Sequence, residues 1–270
     1  MSTVAAGLSA LDRLDRLARL DSPVHRVDPR AKVIATGVFI VCVVSSTKYE
    51  ILGLLPFAVF PMVLAAEGDL PLGFLGKLLL VASPFAVVMG AFNPVFDREV
   101  VAHLGPVPIT GGLVSYASIV LRFALTVGAA LVLTATTSFT GICLALERLR
   151  VPEVLVTQLL LLYRYIFVLG DEARRMGQAR RLRSFGRRGL GWHVYGQMLG
   201  QLLLRTFGRA QRLYLAMKSR GFDGSIRVAR RLHFGPRDLA FTLVWSALFV
   251  LFRVVNLPLA LGHLLVGAGR

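Results

Sequence analysis

Residues 171–237 carry sixteen arginines and lysines against three carboxylates, a net of +13 out of +16 for the 270-residue chain. Two segments inside this quarter of the sequence repeat one spacing. The first reads Arg175-x-x-x-Ala179-x-x-x-Arg183-Ser-Phe185-Gly, and the second Arg212-x-x-x-Ala216-x-x-x-Arg220-Gly-Phe222-Asp-Gly224. Steps of four place Arg, Ala and Arg along one face of a helix. Gly186 and Gly221 follow as C-terminal stop residues. Each motif therefore presents an arginine in the last turn of a helix, and Ala179 or Ala216 one turn earlier clears room for a partner surface. A guanidinium is a rigid fork of donors suited to carboxylate or phosphate. The chemistry these residues can do is anion recognition. Between the motifs, Arg205, Arg209 and Arg212 share a helical face, while Leu199, Leu202, Leu203, Leu213 and Met217 supply apolar area around the rest. Anionic lipid and an acidic groove on a soluble protein both fit such a surface, and motif geometry leaves them equally open. Nucleic acid is disfavoured, because the cluster is tied to a membrane core and has no recognition fold.

No constellation for bond-making accompanies it. His25, His103, His193, His233 and His263 are scattered at no ligand spacing, and Cys42 and Cys143 are isolated in or beside apolar runs. The close acidic pairs Asp12/Asp15, Glu67/Asp69, Asp97/Glu99 and Asp171/Glu172 read as solvated charges. A Gly-rich loop followed by Lys and Ser or Thr is missing, so ATP is not bound here by that route. These observations predict no catalytic site, no resident metal and no cofactor in this chain. They disfavour a membrane enzyme acting on lipid, which would want acidic clusters for magnesium. A self-contained secondary transporter would want inverted repeats and charges near the membrane centre, and no repeat is seen among the spans.

The elements that must hold the arginines are apolar. Hydrophobic residues make up 55% and charged residues only 17% of the chain, with mean hydropathy +0.66. Soluble domains carry roughly 25% charged residues. Apolar runs at 33–46, 51–66, 74–91, 113–137 and 239–261 read as five membrane spans, with prolines 56 and 61 inside the second. An irregular loop is expected over 92–112. Arg26, Arg30 and Lys32 flank the first span and place the N-terminus in the cytoplasm. Asp28 stands as a cap for a helix starting near Pro29. Four crossings return the chain to the cytoplasm near Ser138. The run 154–169 is short and carries Gln158 and Arg164. Were it to cross, the basic stretch would face outside, so it is read as a helix that does not cross. Arg187 and His233 are then cytoplasmic, and the C-terminus lies outside. A six-span arrangement is the alternative. Arg122 and Arg253, inside the fourth and last spans, are read as snorkelling or structurally hydrogen-bonded rather than transporting. Leu8, Leu11, Leu14, Leu17 and Leu20, separated by Asp12, Arg13, Asp15, Arg16 and Arg19, form an amphipathic helix for the membrane surface, a neighbouring subunit or this chain itself. The chain thus divides into an amphipathic segment 1–30, four spans in 31–138, a cytoplasmic or interfacial helical domain 139–237 and a last span in 238–270.

At these residues the sequence resembles a family. Two arginine motifs in a pair of basic helices among five spans look like the transmembrane T component of energy-coupling factor transporters. The matching triplets are Leu182-Arg183-Ser184 and Ser219-Arg220-Gly221, and the opening Asp21-Ser-Pro-Val-His-Arg-Val-Asp-Pro-Arg-Ala-Lys32 resembles cobalt-type members. The resemblance implies an all-α polytopic membrane protein with a pair of long cytoplasmic coupling helices. It implies a non-catalytic scaffold in the bacterial cytoplasmic membrane, between two cytoplasmic ATP-binding-cassette ATPases and a substrate-binding membrane subunit, with a small accessory membrane subunit in some assemblies. Arg183, Ser184, Ser219, Arg220, Gly221, Ala179 and Ala216 would contact the ATPases. ATP and magnesium would sit in those partners, and cobalt in the substrate-binding subunit.

Overall fold

Where the helices begin follows from a few capping residues. Asp28 accepts a hydrogen bond from Arg30 N at 2.8 Å, and Pro29 occupies the first helical position, so α3 (Pro29–Val44) starts there. The computed structural model describes residues 2–47, 51–93, 100–104, 107–183, 192–224, 226 and 234–254. These residues form α1 (Ser2–Leu17), α2 (Pro23–Arg26), α3, α4 (Ile51–Leu54), a 3₁₀ turn (Leu55–Ala58), α5 (Val59–Glu67) and α6 (Leu72–Ala91). A two-stranded hairpin of β1 (Val100–Leu104) and β2 (Val107–Thr110) follows. Then come α7 (Gly111–Thr136), α8 (Phe139–Arg148), α9 (Glu153–Arg183), α10 (Trp192–Lys218) and α11 (Pro236–Val254). The protein is an all-α polytopic membrane protein apart from that hairpin. It divides into two compact units: Met1–Asp15 with Phe139–Arg231, and Arg16–Ser138 with Leu232–Arg270.

In the second unit α7 is the central rod, packing on α3, α4, α5 and α6, while α11 lies along α3. Glycine lets α6 and α7 close up: a Cβ at Gly90 would stand 2.7 Å from the Tyr116 ring. The core between α3, the 3₁₀ turn, α5 and α11 is aromatic. Phe39, Phe57, Phe60 and Phe249 are almost wholly buried, and Phe249 meets Phe60 edge-on at 5.0 Å and Phe39 at 5.3 Å.

Both ends of α3 are satisfied from elsewhere in this unit. At its N-terminus, buried Asp238 accepts from Asp28 N and from Gly235 N, each at 2.8 Å. One carboxylate thus joins the starts of α3 and α11. At its C-terminus, Arg253 donates to Ser45 O at 2.9 Å and Arg122 donates to Thr47 O. The two arginines inside spans therefore cap a helix end, where orphan carbonyls and the negative dipole terminus gather. In the segment before α3, His25 Nε2 lies 3.0 Å from Leu17 O, which can only accept, so the neutral ring carries its proton there. Nδ1 then accepts from Ser22 Oγ at 2.7 Å.

Several expectations change. Lys32 is not a flanking surface charge: it is 2% exposed, and its Nζ donates to Thr136 O at 2.9 Å. Its position inside the first turn of α3, after the Asp28–Pro29 start, turns it into the bundle. The span at 51–66 is broken by the 3₁₀ turn, because Pro56 has no N–H for a continuous ladder. The supposedly irregular loop 92–112 contains the antiparallel pair β1–β2, with Leu104 opposite Val107. The run 154–169 is not a short helix but the first half of the 31-residue α9. Among the described residues, α6, α7 and α9 are the helices long and apolar enough to cross a membrane by length and composition. α3, at 16 residues, is shorter than that standard.

Candidate docking site on a helical hairpin

The first unit is built around α9, whose first half is apolar and whose second half is basic. Pro152 starts it, its carbonyl accepting from Leu155 N and Val156 N. α8 is closed off just before by an αL residue: Arg150 has φ +68°, and Val151 N donates back to Leu146 O at 3.1 Å. Phe139 of α8 stacks on Tyr163 of α9 at 4.4 Å. α1 lies on the opposite stretch of α9. A Cβ at Gly170 would fall 2.2 Å from Leu8 Cδ1, so the glycine makes the seat for buried Leu8. Of the three sites open to the amphipathic N-terminal helix, its own chain is the one seen.

α9 and α10 run antiparallel. Arg205 Nη1 donates to Glu172 Oε1 at 2.7 Å near the middle, and Thr157 Oγ1 donates to Gly224 O at 3.1 Å at one end. Glu172 also lies 3.7 Å from Arg175. This register decides where the arginine motifs fall. Arg220 lies level with the start of α9, whereas Arg183 is its last residue. From the Arg205–Glu172 level Arg220 lies fifteen residues one way and Arg183 eleven the other, so at 1.5 Å per residue the two motif arginines are separated by about 39 Å along the hairpin.

The second motif is formed by a complete cap. Gly221 has φ +78°, Gly221 N donates to Lys218 O and Phe222 N donates to Met217 O, both at 3.1 Å. This 5→2 and 6→1 pair ends α10 one turn after Ala216 and leaves Arg220 exposed. Ser219, also exposed, turns its hydroxyl back onto Ala216 O at 3.1 Å. In the first motif Ala179 and Arg183 are exposed on the last turns of α9. Ser184, Phe185, Gly186, Arg187 and His233 lie outside the described residues. The hairpin thus does not gather the motifs into one patch but sets them at opposite ends.

Glu172 is the residue sequence reasoning passed over, as one of a solvated acidic pair. It is the anion that binds the two helices to each other. Its signal was its rarity, being one of three carboxylates among sixteen cations. Among the described residues no group of three or more His, Cys, Asp or Glu could hold a metal ion.

Residues 21–231 match the family described as "Cobalt transport protein", CbiQ. The uncharacterised protein MJ1571 of Methanocaldococcus jannaschii is 30% identical over 251 residues, 88% of this chain and 85% of the relative. An "Energy-coupling factor transporter transmembrane protein EcfT" of Bacillus selenitireducens is 28% identical over 86% of this chain and 91% of its own length. "Cobalt transport protein CbiQ" of Rhodobacter capsulatus is 32% identical over 165 residues, 61% of this chain and 62% of its own.

Proposed function

The chain belongs to the CbiQ cobalt transport protein family, the transmembrane T component of energy-coupling factor transporters, and we propose that it is the scaffold carrying force from two cytoplasmic ATPases to a separate substrate-binding membrane subunit. The observation that carries this reading is the hairpin: two arginine-ended helices pointing in opposite directions, held by Glu172–Arg205 between them. Ends about 39 Å apart address two partners rather than one. They also exceed the hydrocarbon thickness of about 30 Å, so a hairpin crossing the bilayer would put one arginine outside. Both reach cytoplasmic partners when the hairpin lies along the membrane, and α9 then does not cross despite its length.

Each arginine offers a planar fork to an acidic groove on its ATPase. Ala179, Ala216, Ser219 and Gly221 keep the surface around it low, so a groove can enclose the guanidinium, and Ser184 beside Arg183 in sequence is assigned to the same contact. Nucleotide binding draws the ATPases together and pulls on both ends. The ion pair at mid-hairpin makes the two helices share that load, and their exposed apolar sides, including Leu199, Leu203 and Phe207, pass it to the membrane subunit. The chain itself is non-catalytic. ATP and magnesium bind in the ATPases, and cobalt, the cargo the family description supports, is held by the substrate-binding subunit. The setting is a bacterial cytoplasmic membrane.

Charge reversal tests this directly. With Arg183→Glu and Arg220→Glu together, the protein inserts normally but neither ATPase co-purifies. Each single variant retains association through the other end and loses transport. Recovery of intact complex from the double variant at the wild-type level overturns the docking role.

A further inference from the structure

We propose that the face between α9 and α10 is a binding site for one anionic phospholipid, with its phosphate on Arg209 and Arg212 and an acyl chain in the adjoining groove. The groove has a volume of about 340 Å³ and is almost wholly apolar, with Leu161, Tyr165 and Leu169 on one wall and Ala210, Leu213 and Met217 on the other. That volume falls within the ~300–1,000 Å³ of ligand sites. Its α10 wall runs from Thr206 to Met217, eleven steps or about 16 Å. Eight of those steps, about 12 Å, lie beyond Arg209, so the groove covers most of a chain spanning the ~15 Å of one leaflet.

A second cavity of about 480 Å³ adjoins it, lined by Glu172, Arg205, Gly208, Arg209 and Arg212 among others. Half-buried Arg209 lines both spaces. Arg205 is neutralised by Glu172 at 2.7 Å; Arg209 feels the same carboxylate at longer range but forms no ion pair with it, and Arg212 forms none, among the described residues. Gly208 shapes the tray. Arg212 Nη1 lies 3.5 Å from where a Gly208 Cβ would stand, so the guanidinium folds back along the helix toward the Arg209 level. Two cations beside an apolar groove match a molecule that is anionic at one end and hydrocarbon at the other. A zwitterionic headgroup would add its own cation to the tray, and free phosphate would leave the groove uncovered. The site is distinct from the arginine ends and does not depend on their docking ATPases.

Native mass spectrometry of the full-length protein, exchanged into detergent with defined lipid, tests the assignment. Dioleoylphosphatidylglycerol is retained at one per chain, at least about tenfold more strongly than dioleoylphosphatidylcholine, by the strength of basic side chains on anionic headgroups. Arg209→Gln with Arg212→Gln lowers retention by about 30-fold, the effect of losing two such cations. Arg209→Lys with Arg212→Lys stays within a few-fold of wild type, which separates loss of charge from loss of fold. Ala210→Trp, which fills the groove and keeps both arginines, also releases the lipid. Equal retention of the two lipids overturns the proposal, as does displacement by glycerol 3-phosphate at the concentration where phosphatidylglycerol competes. Unchanged lipid retention with loss of a co-purifying ATPase in the Gln pair also overturns it, since the face would then belong to a protein.

Discussion

Replacing Gly221 isolates one physical term at the place where Arg220 is positioned. A Cβ there would meet no atom within 4 Å, so alanine adds no clash. What it adds is the cost of φ +78° for a residue with a side chain, about 1 kcal/mol. The cap carries two hydrogen bonds, Gly221 N to Lys218 O and Phe222 N to Met217 O. Opening it by about 1 kcal/mol should lower amide exchange protection at Phe222 by about fivefold. Asparagine, which tolerates the αL region, should cost less, and valine more. The expected order of protection is Gly, Asn, Ala, Val, read by hydrogen exchange on the detergent-solubilised protein. ATPase affinity should follow the same order if Arg220 docks. Protection in the Ala variant equal to wild type would refute the reasoning. So would equal loss in Asn and Val, because the cost would then be steric rather than conformational.

Two further outcomes follow from packing and titration. Gly170→Ala should loosen α1 by about 1–3 kcal/mol less its gain in helix propensity, but should be neutral or stabilising in a Leu8→Ala background. A double-mutant cycle on exchange of α1 amides showing equal costs in both backgrounds would remove the contact. Burial, and then the charge of Lys32, hold the His25 imidazole below its ordinary pKa. Folding thus favours the neutral ring, and stability that is full above pH 6.5 should be lost as pH falls from there toward the lowered value. His25→Gln should flatten that slope in pH-dependent unfolding, and an unchanged slope would assign it to another group.

Local signals made much of the fold legible. Asp28–Pro29 marked the start of α3, the apolar runs marked the helices, and the four-residue spacing with Gly221 marked the end of α10. What sequence could not show was pairing across distance. Lys32 read as a flanking charge because its acceptor, Thr136 O, is 104 residues away. Arg122 and Arg253 read as two separate residues, snorkelling or structurally hydrogen-bonded; the hydrogen bonds are there, but only folding brings both onto one helix terminus. α9 read as short because its apolar half stops at Leu169, although helix propensity carries on through the arginines. In the candidate site the two motifs were plain, but their separation depended on the antiparallel register set by Glu172–Arg205 and Thr157–Gly224. No periodicity encodes that register.

The short α3, with arginines from α7 and α11 on its C-terminus, bears on bilayer thickness. Sixteen residues rise about 24 Å, some 6 Å less than a typical hydrocarbon core. Were α3 to cross the bilayer, as the sequence leads one to expect, guanidinium groups at its C-terminus would draw water and headgroups inward and the leaflet would dimple around it. Such a crossing would carry a locally thinned annulus with it, and membranes rich in shorter chains would host it at lower elastic cost.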